Sequence, residues 1–301
     1  MASEGAPIAL FAFRRPDHLS ACLASLATCA EASSSELVIF CDGARGPQDV
    51  EGVAEVRRLA RAAEGFAAVT VVERDENLGL AGSVIRGVGE VLGRADRVIV
   101  VEDDLVVSQD FLRYLNEGLD LYRDDEAVVS IHAYVYAVRE PLPQSFFLRG
   151  ADCWGWATWR RGWEVFDPDG ARLLRELGES GQERAFDLDG SYPYRAMLAD
   201  QVAGRNDSWA VRWYASAFLA GKLTLYPGVS LVENIGQDGS GTHSLASASH
   251  DVRAARLEAP LARIDVRESQ EARAAVARTL APHHGSRWSR MVARVGRGGR
   301  A

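Results

Sequence analysis

The sequence predicts an α/β fold with a mostly parallel central sheet covered by helices on both faces. Three observations carry this. Short, continuous apolar runs recur through the first half of the chain, segments with apolar residues at helical spacing separate them, and polar or acidic residues gather just after the runs. Unbroken apolar strands mark a sheet buried on both sides, and strands alternating with helices mark parallel connections.

The first run, Pro7 to Phe13, reads as a buried strand. Pro16 suits the first turn of a helix whose apolar stripe is Leu19, Cys22, Leu23 and Leu26. Leu37 to Cys41 is the second strand and ends at Asp42-Gly43; Val50 to Ala63 reads as a helix and Val69 to Val72 as the third strand. Asn77-Leu78-Gly79 leads into a small-residue helix that runs to about Leu92. Arg97 to Val101 is the fourth strand and runs into Glu102-Asp103-Asp104. Ser108 is expected to cap a helix to about Tyr122, with Asp110 in the first turn where the helix dipole favours an anion, and Ala127 to Ile131 is the fifth strand. Ligands of such sheets sit beyond the carboxyl ends of the strands. Arg14, Arg15, Asp42 and the acidic trio all fall there.

Composition narrows the function. The chain has 301 residues and a formal charge of −8, which excludes a general nucleic-acid binder, because phosphate backbones need a basic face. Lys222 is the only lysine; with abundant Ala and Arg this points to a GC-rich, bacterial coding sequence. Cys22, Cys29, Cys41 and Cys153 show no CxxC spacing and read as reduced, buried thiols. No basic stretch followed by an apolar run opens the chain, and no apolar run reaches the ~20 residues that span a bilayer, so the expected location is the cytoplasm.

Three adjacent carboxylates at the end of a buried strand repel one another, and their pKa values rise unless a cation or donors offset them. Hard cations such as Mn2+ or Mg2+ take oxygen ligands, and one or two protein carboxylates suffice when phosphates supply the rest. A cation held by the trio would bridge a diphosphate and stabilise it as it leaves. The other reading is a solvated acidic turn before a helix.

The stretches PIALFAFRRPDHLSACLASL, ELVIFCDG, RVIVVEDDLVVSQDFLRYL, CWGWATWRRGW and NDSW, in that order, decide between the two. Over about residues 6–245 the chain resembles the glycosyltransferases of the GT-A fold, and within them the N-acetylglucosaminyltransferase I group and its bacterial family-2-like relatives. The EDDL segment is the specific part.

The resemblance implies a metal-dependent transferase that moves a sugar, with inversion, from a nucleotide-diphosphate donor, in the first instance a UDP-sugar, to a hydroxyl of a glycan or lipid-linked acceptor. It implies that Asp104 ligates Mn2+ (or Mg2+), that Glu102 and Asp103 contact the ribose or the metal through water, that Arg15 lies near base and phosphates, and that Asp42 holds the base. Asp42 also reads as a turn-forming Asp-Gly, and Arg15 as a surface arginine. Arg86, a turn or two into the third helix, is a weaker phosphate candidate. Trp156, Trp159 and Trp163 have helical spacing and read as core, leaving Trp154 and Gly155 near the donor sugar. The general base maps to Asp207 in the NDSW turn, with Ser208 at the tryptophan-aligned position and with Asp200 and Asp152 as substitutes; Asp207 also reads as a helix N-cap. The Gly-rich stretch Asn234 to His243 reads as a lid, with His243 reaching a phosphate or the metal.

No linker divides the chain, so the expectation is one catalytic domain over 1–262, with a nucleotide half over about 6–135 and an acceptor half over about 136–262. A basic tail over 263–301 follows. From Ala272 to Ala301 it holds seven arginines and no acid. It admits two readings, a peripheral contact with an anionic membrane or a solvated tail. A nucleotidyltransferase of related fold would show a Gly-rich loop after the first strand, where this chain has Phe13-Arg14-Arg15-Pro16-Asp17. A non-catalytic glycan-binding module would have no use for an intact trio.

Overall fold

The structure is a computed structural model that describes residues 5–236 and 252–284. Ten strands and ten α-helices are labelled here in chain order. The first half contains β1 (Ile8–Ala12), α1 (Pro16–Ala27), β2 (Glu36–Cys41), α2 (Val50–Arg61), β3 (Ala68–Glu73), α3 (Gly79–Leu92), β4 (Arg97–Glu102), β5 (Leu105–Val107), α4 (Phe111–Leu121) and β6 (Val128–His132). The second half contains β7 (Ser145–Arg149), β8 (Trp156–Trp159), α5 (Arg160–Trp163), α6 (Gly170–Ser180), α7 (Glu183–Phe186), α8 (Tyr194–Val202), α9 (Trp209–Leu219), β9 (Leu223–Pro227), β10 (Val232–Asn234) and α10 (Gln270–His284).

Eight strands form one sheet in the order β3-β2-β1-β4-β8-β6-β9-β7. β1, β2, β3 and β4 are mutually parallel, as the apolar runs required, and β6 and β9 are parallel to each other. β8 and β7 run against their neighbours. The sheet is therefore mixed but mostly parallel. Its two faces are buried separately: Ile8, Leu10, Ile99 and Val101 face one core, while Ala9, Phe11, Val98 and Val100 face the other.

The tryptophan segment differs from its expected form. Trp156 to Trp159 is a strand, and only Arg160 to Trp163 is helical. A three-residue offset on a strand puts two side chains on opposite faces. Trp156 accordingly joins the core under α9, beside Trp209 and Trp213, while Trp159 joins the core under α4 and donates its indole N–H to the Leu119 carbonyl (3.2 Å). The burial expected of these rings holds, with strand geometry as its cause.

One short element, β5, escaped sequence reading. β5 follows the trio directly and pairs antiparallel with β10, Val107 opposite Val232 and Leu105 opposite Asn234. This pairing carries Ile235 and Gly236 over Asp104. Helix α4 starts at Phe111 behind Asp110; Ser108 is not its cap but accepts from the Asp110 N–H (3.3 Å).

The stretch after 252 is bound along the body. Arg256 and the Leu257 N–H bond to Asp110, the Leu261 N–H to Glu117 and the Ile264 N–H to the Tyr122 hydroxyl. Ala272, Val276 and Leu280 of α10 are buried against Phe146, Leu148 and Tyr226. The segment read as a basic tail thus starts as packed structure; the rest of it, from 285 on, lies outside the described residues. Among the described residues no helix is long and apolar enough to cross a membrane.

Candidate active site

The carboxyl edge of the sheet gathers the predicted groups. β1 and β4 are adjacent, with Phe11 opposite Glu102, so Arg15 just after β1 meets the trio just after β4. Arg15 Nη2 donates to Asp103 Oδ1 (2.5 Å) and to Asp104 Oδ2 (2.9 Å). Asp103 Oδ2 also accepts from the Phe13 N–H (3.4 Å). Asp103 is thus a structural clasp between β1 and β4, with both oxygens engaged. Asp104 keeps one oxygen, Oδ1, buried and without a hydrogen bond.

The electrostatics follow from this crowding. Burial pushes the Asp103 carboxyl up to about 6, with Arg15 pulling it down and Asp104 pushing it further up. Burial, then Asp104 and Asp103, raise Glu102 well above the usual carboxylate range. Burial opposes the Arg15 charge, but Asp103 and Asp104 more than offset it and raise its pKa. One guanidinium therefore faces three carboxylates, and the site carries surplus negative charge when all ionise.

Those residues fit a divalent cation. A buried carboxylate oxygen with no donor is costly, and a cation supplies the missing partner. Among the described residues no three His, Cys, Asp or Glu side chains converge as a closed cage. Oxygens from outside these side chains would have to complete such a site, as for any cation held by one or two carboxylates. His243, expected to help, lies outside the described residues. The turn before it closes on the same carboxylate. The Ile235 N–H donates to the Asp104 carbonyl (2.9 Å), and a Cβ at Gly236 would stand 2.2 Å from Asp104 Oδ2.

Other predicted residues sit differently. Asp42 is buried with its carboxylate at the start of α3, accepting from the N–H groups of Gly43 (3.1 Å), Leu78 (2.9 Å) and Gly79 (3.0 Å). It caps the β3–α3 turn, the local use anticipated for Asp-Gly extended to a distant loop. Arg86 is exposed and pairs with Glu90 one turn on (2.8 Å), so the structure does not bring it to the trio. Gly155 is buried with φ +71, and a Cβ there would meet Phe111 and Val232 at 2.9 Å. Packing and a left-handed turn account for this glycine, and it presents no open face to a ligand. Trp154 is half-buried, with its ring edge-on to Tyr134 at 4.8 Å.

The NDSW turn resolves one ambiguity. Ser208, not Asp207, caps α9, its side chain accepting from the Val211 N–H (3.2 Å). Asp207 is left 68% exposed, 3.5 Å from Arg212, and about 4.0 Å from where a Gly79 Cβ would be. Asp200 is bound by Arg205 within its own turn. Asp152, the other substitute, lies among aromatic residues: its Oδ2 accepts from Tyr136 Oη (3.1 Å) and lies 3.7 Å from His132 Nε2. Sequence reasoning missed His132, Tyr136, Tyr192 and Tyr194. The YVY and SYPY repeats were the available signal.

Solved structures resemble the chain distantly. One is S. aureus TarS, with 17% identity over 48% of this chain and 24% of that one and a TM-score of 0.30. Another is the mannosyltransferase PcManGT from Pyrobaculum calidifontis in complex with GDP-Man and Mn2+, with 14% identity over 58% of this chain and 48% of that one and a TM-score of 0.32. The chain thus spans half or less of either protein's length. No curated protein matches it. Residues 8–173, more than half of the chain, match the family described as Glycosyl transferase family 2. With its mostly parallel sheet flanked by helices, the chain belongs to glycosyl transferase family 2.

Proposed function

We propose that the protein is a metal-dependent, inverting glycosyltransferase that takes a sugar from a nucleotide-diphosphate donor, with a UDP-sugar as the first donor to test, and joins it to a hydroxyl of a glycan or lipid-linked acceptor. The likeness of its motifs to the N-acetylglucosaminyltransferase I group guides the roles. One observation carries the reading: Asp104 offers a buried, unbonded oxygen at the sheet's carboxyl edge, beside Asp103 and Arg15.

Asp104, with Glu102 beside it, would hold Mn2+ or Mg2+, which when bound neutralises the donor's phosphates and stabilises the diphosphate as it leaves. Arg15 keeps the carboxylates in register. Asp42 fixes the β3–α3 turn at the nucleotide edge. Trp154 offers a half-buried aromatic face to a sugar ring. The turn at Asn234–Gly236 covers the carboxylates and limits water at the donor. Asp207 is the base: it is exposed, free of capping duty, and so able to accept the acceptor hydroxyl's proton.

The test is turnover of UDP-sugars by the full chain with Mn2+. Activity should vanish in EDTA and fall at least a hundredfold in Asp104→Ala. Activity indifferent to both treatments would overturn the metal role.

A further inference from the structure

Asp152 lies where two parts of the sheet's edge meet. Trp156 on β8 pairs with Val100 on β4 and with His132 on β6. Because β8 runs opposite to both, the residues before it continue past their carboxyl ends. Residues 152–154 therefore rise between Glu102 and Ala133-Tyr134. The segment is tied to the end of β6, the Ala133 N–H donating to the Gly155 carbonyl (2.9 Å), and within it the Cys153 N–H donates to Asp152 Oδ1 (2.9 Å).

Around Asp152 the surface is aromatic and polar together. Tyr136 Oη lies 3.4 Å from Tyr194 Oη, and Tyr192 and Tyr194 pack 4.6 Å apart. Trp154, Tyr136, Tyr192 and Tyr194 are all half-buried. Behind it stands His132, wholly buried, with neither ring nitrogen hydrogen-bonded. Its Nε2 stops at 3.7 Å from Asp152 Oδ2, beyond hydrogen-bond reach. Burial lowers the His132 pKa to about 4 despite Asp152, so the ring is neutral. Buried polar groups without partners are rare and point to a missing one.

The missing partner is defined by its neighbours. Asp152 accepts and neutral imidazole both donates and accepts, and aromatic rings alongside suit an apolar C–H face. A hydroxyl beside a flat apolar face is what a pyranose presents. A cation is a poor match, since among the described residues no three His, Cys, Asp or Glu side chains gather here.

We propose that Asp152, with Tyr136, Tyr194 and Trp154, is the acceptor subsite and binds an uncharged pyranose, Asp152 accepting a hydrogen bond from a ring hydroxyl and His132 positioned behind it. The word acceptor rests on the transferase reading; the binding of a neutral sugar does not.

The experiment uses the full chain with UDP and Mn2+ and a set of p-nitrophenyl pyranosides of glucose, galactose, mannose and N-acetylglucosamine, followed by saturation-transfer NMR. At least one glycoside should bind saturably. Asp152→Asn should weaken it at least tenfold and Tyr194→Phe about threefold, while Asp104→Asn should leave glycoside affinity within twofold. With any glycoside that also accepts sugar, Asp152→Asn should raise the acceptor KM at least tenfold and kcat should change less. If Asp152→Asn does not fold, Tyr136→Phe takes its place with the same expectation. No saturable binding by the wild type, or equal affinity in the variant, would overturn the subsite. Glycoside binding requires no turnover, so a chain inactive with every donor still answers this test.

Discussion

Arg15 is the most direct lever on the site. Its guanidinium is a counter-charge to both Asp103, 4% exposed, and Asp104. Arg15→Met keeps most of the stem and removes the charge. Deleting one partner of a buried ion pair costs ~3–5 kcal/mol, because the other charge stays buried. Arg15 is 20% exposed on its side chain, so water screens part of the loss and the lower end, about 3 kcal/mol, is expected in EDTA. At ~2 °C per kcal/mol for a chain of this size, Tm falls by about 6 °C. Saturating Mn2+ supplies charge to the same carboxylates and binds only the folded chain. The gap between wild type and variant should therefore narrow to under ~1 kcal/mol. Urea unfolding, with Asp103→Asn to complete a double-mutant cycle, should give a coupling of roughly 2 kcal/mol. A loss below ~1 kcal/mol in EDTA, or a gap that Mn2+ does not change, would refute the reasoning.

Three further outcomes follow from single contacts. Gly236→Ala sets a methyl 2.2 Å from Asp104 Oδ2, so the turn must shift by about an ångström and release the Ile235–Asp104 bond; Mn2+ affinity in the presence of UDP, by calorimetry, should drop about tenfold with a stability loss of only ~1–2 kcal/mol. Asp42→Ala removes the acceptor of three N–H groups around the start of α3 and should cost ~2 kcal/mol in urea unfolding, with Asp42→Asn losing less. His132 titrates near 4 in the fold and near 6.5 when unfolded, so the unfolded chain binds more protons and stability falls as pH drops from 6.5 towards 4. Asp152 faces its imidazole, and Tyr134 and Tyr226 pack on its ring. The full effect is roughly 3 kcal/mol, and urea midpoints of His132→Gln across that range should show a shallower slope.

The parts of the fold that the sequence made legible are those written in neighbouring residues. β1, β2, β4 and β6 appear as apolar runs because both faces of the sheet are covered along each strand, whereas the edge strand β3, with no fully buried residue, is legible only through its short valine run. β5 was hidden because three residues carry no period. β8 was misread because a three-residue offset keeps two tryptophans on one helix face, while on a strand it puts them on opposite faces, here both buried, and only the sheet partners distinguish the two. The same rule divides the site. Arg15 and the trio lie at strand ends and could be placed from sequence. His132, Asp152 and Tyr194 are brought together only by the strand order β8-β6-β9 and the loop before α8, and no local pattern announces that meeting.

Within the trio the sequence offers three equivalent acids, and the fold makes them unequal. Asp103 has both oxygens engaged by Phe13 and Arg15, so its carboxylate maintains the β1–β4 junction. Asp104 receives one bond from the same guanidinium, keeps a buried oxygen unbonded, and lies under Gly236. An oxygen left without a donor in a closed, negatively charged corner is unfavourable unless a cation completes it. The clasp on Asp103 prevents the corner from relaxing. Stability is thus held in one carboxylate, and the adjacent one keeps an oxygen that, under the proposed function, a donor-bound cation would complete.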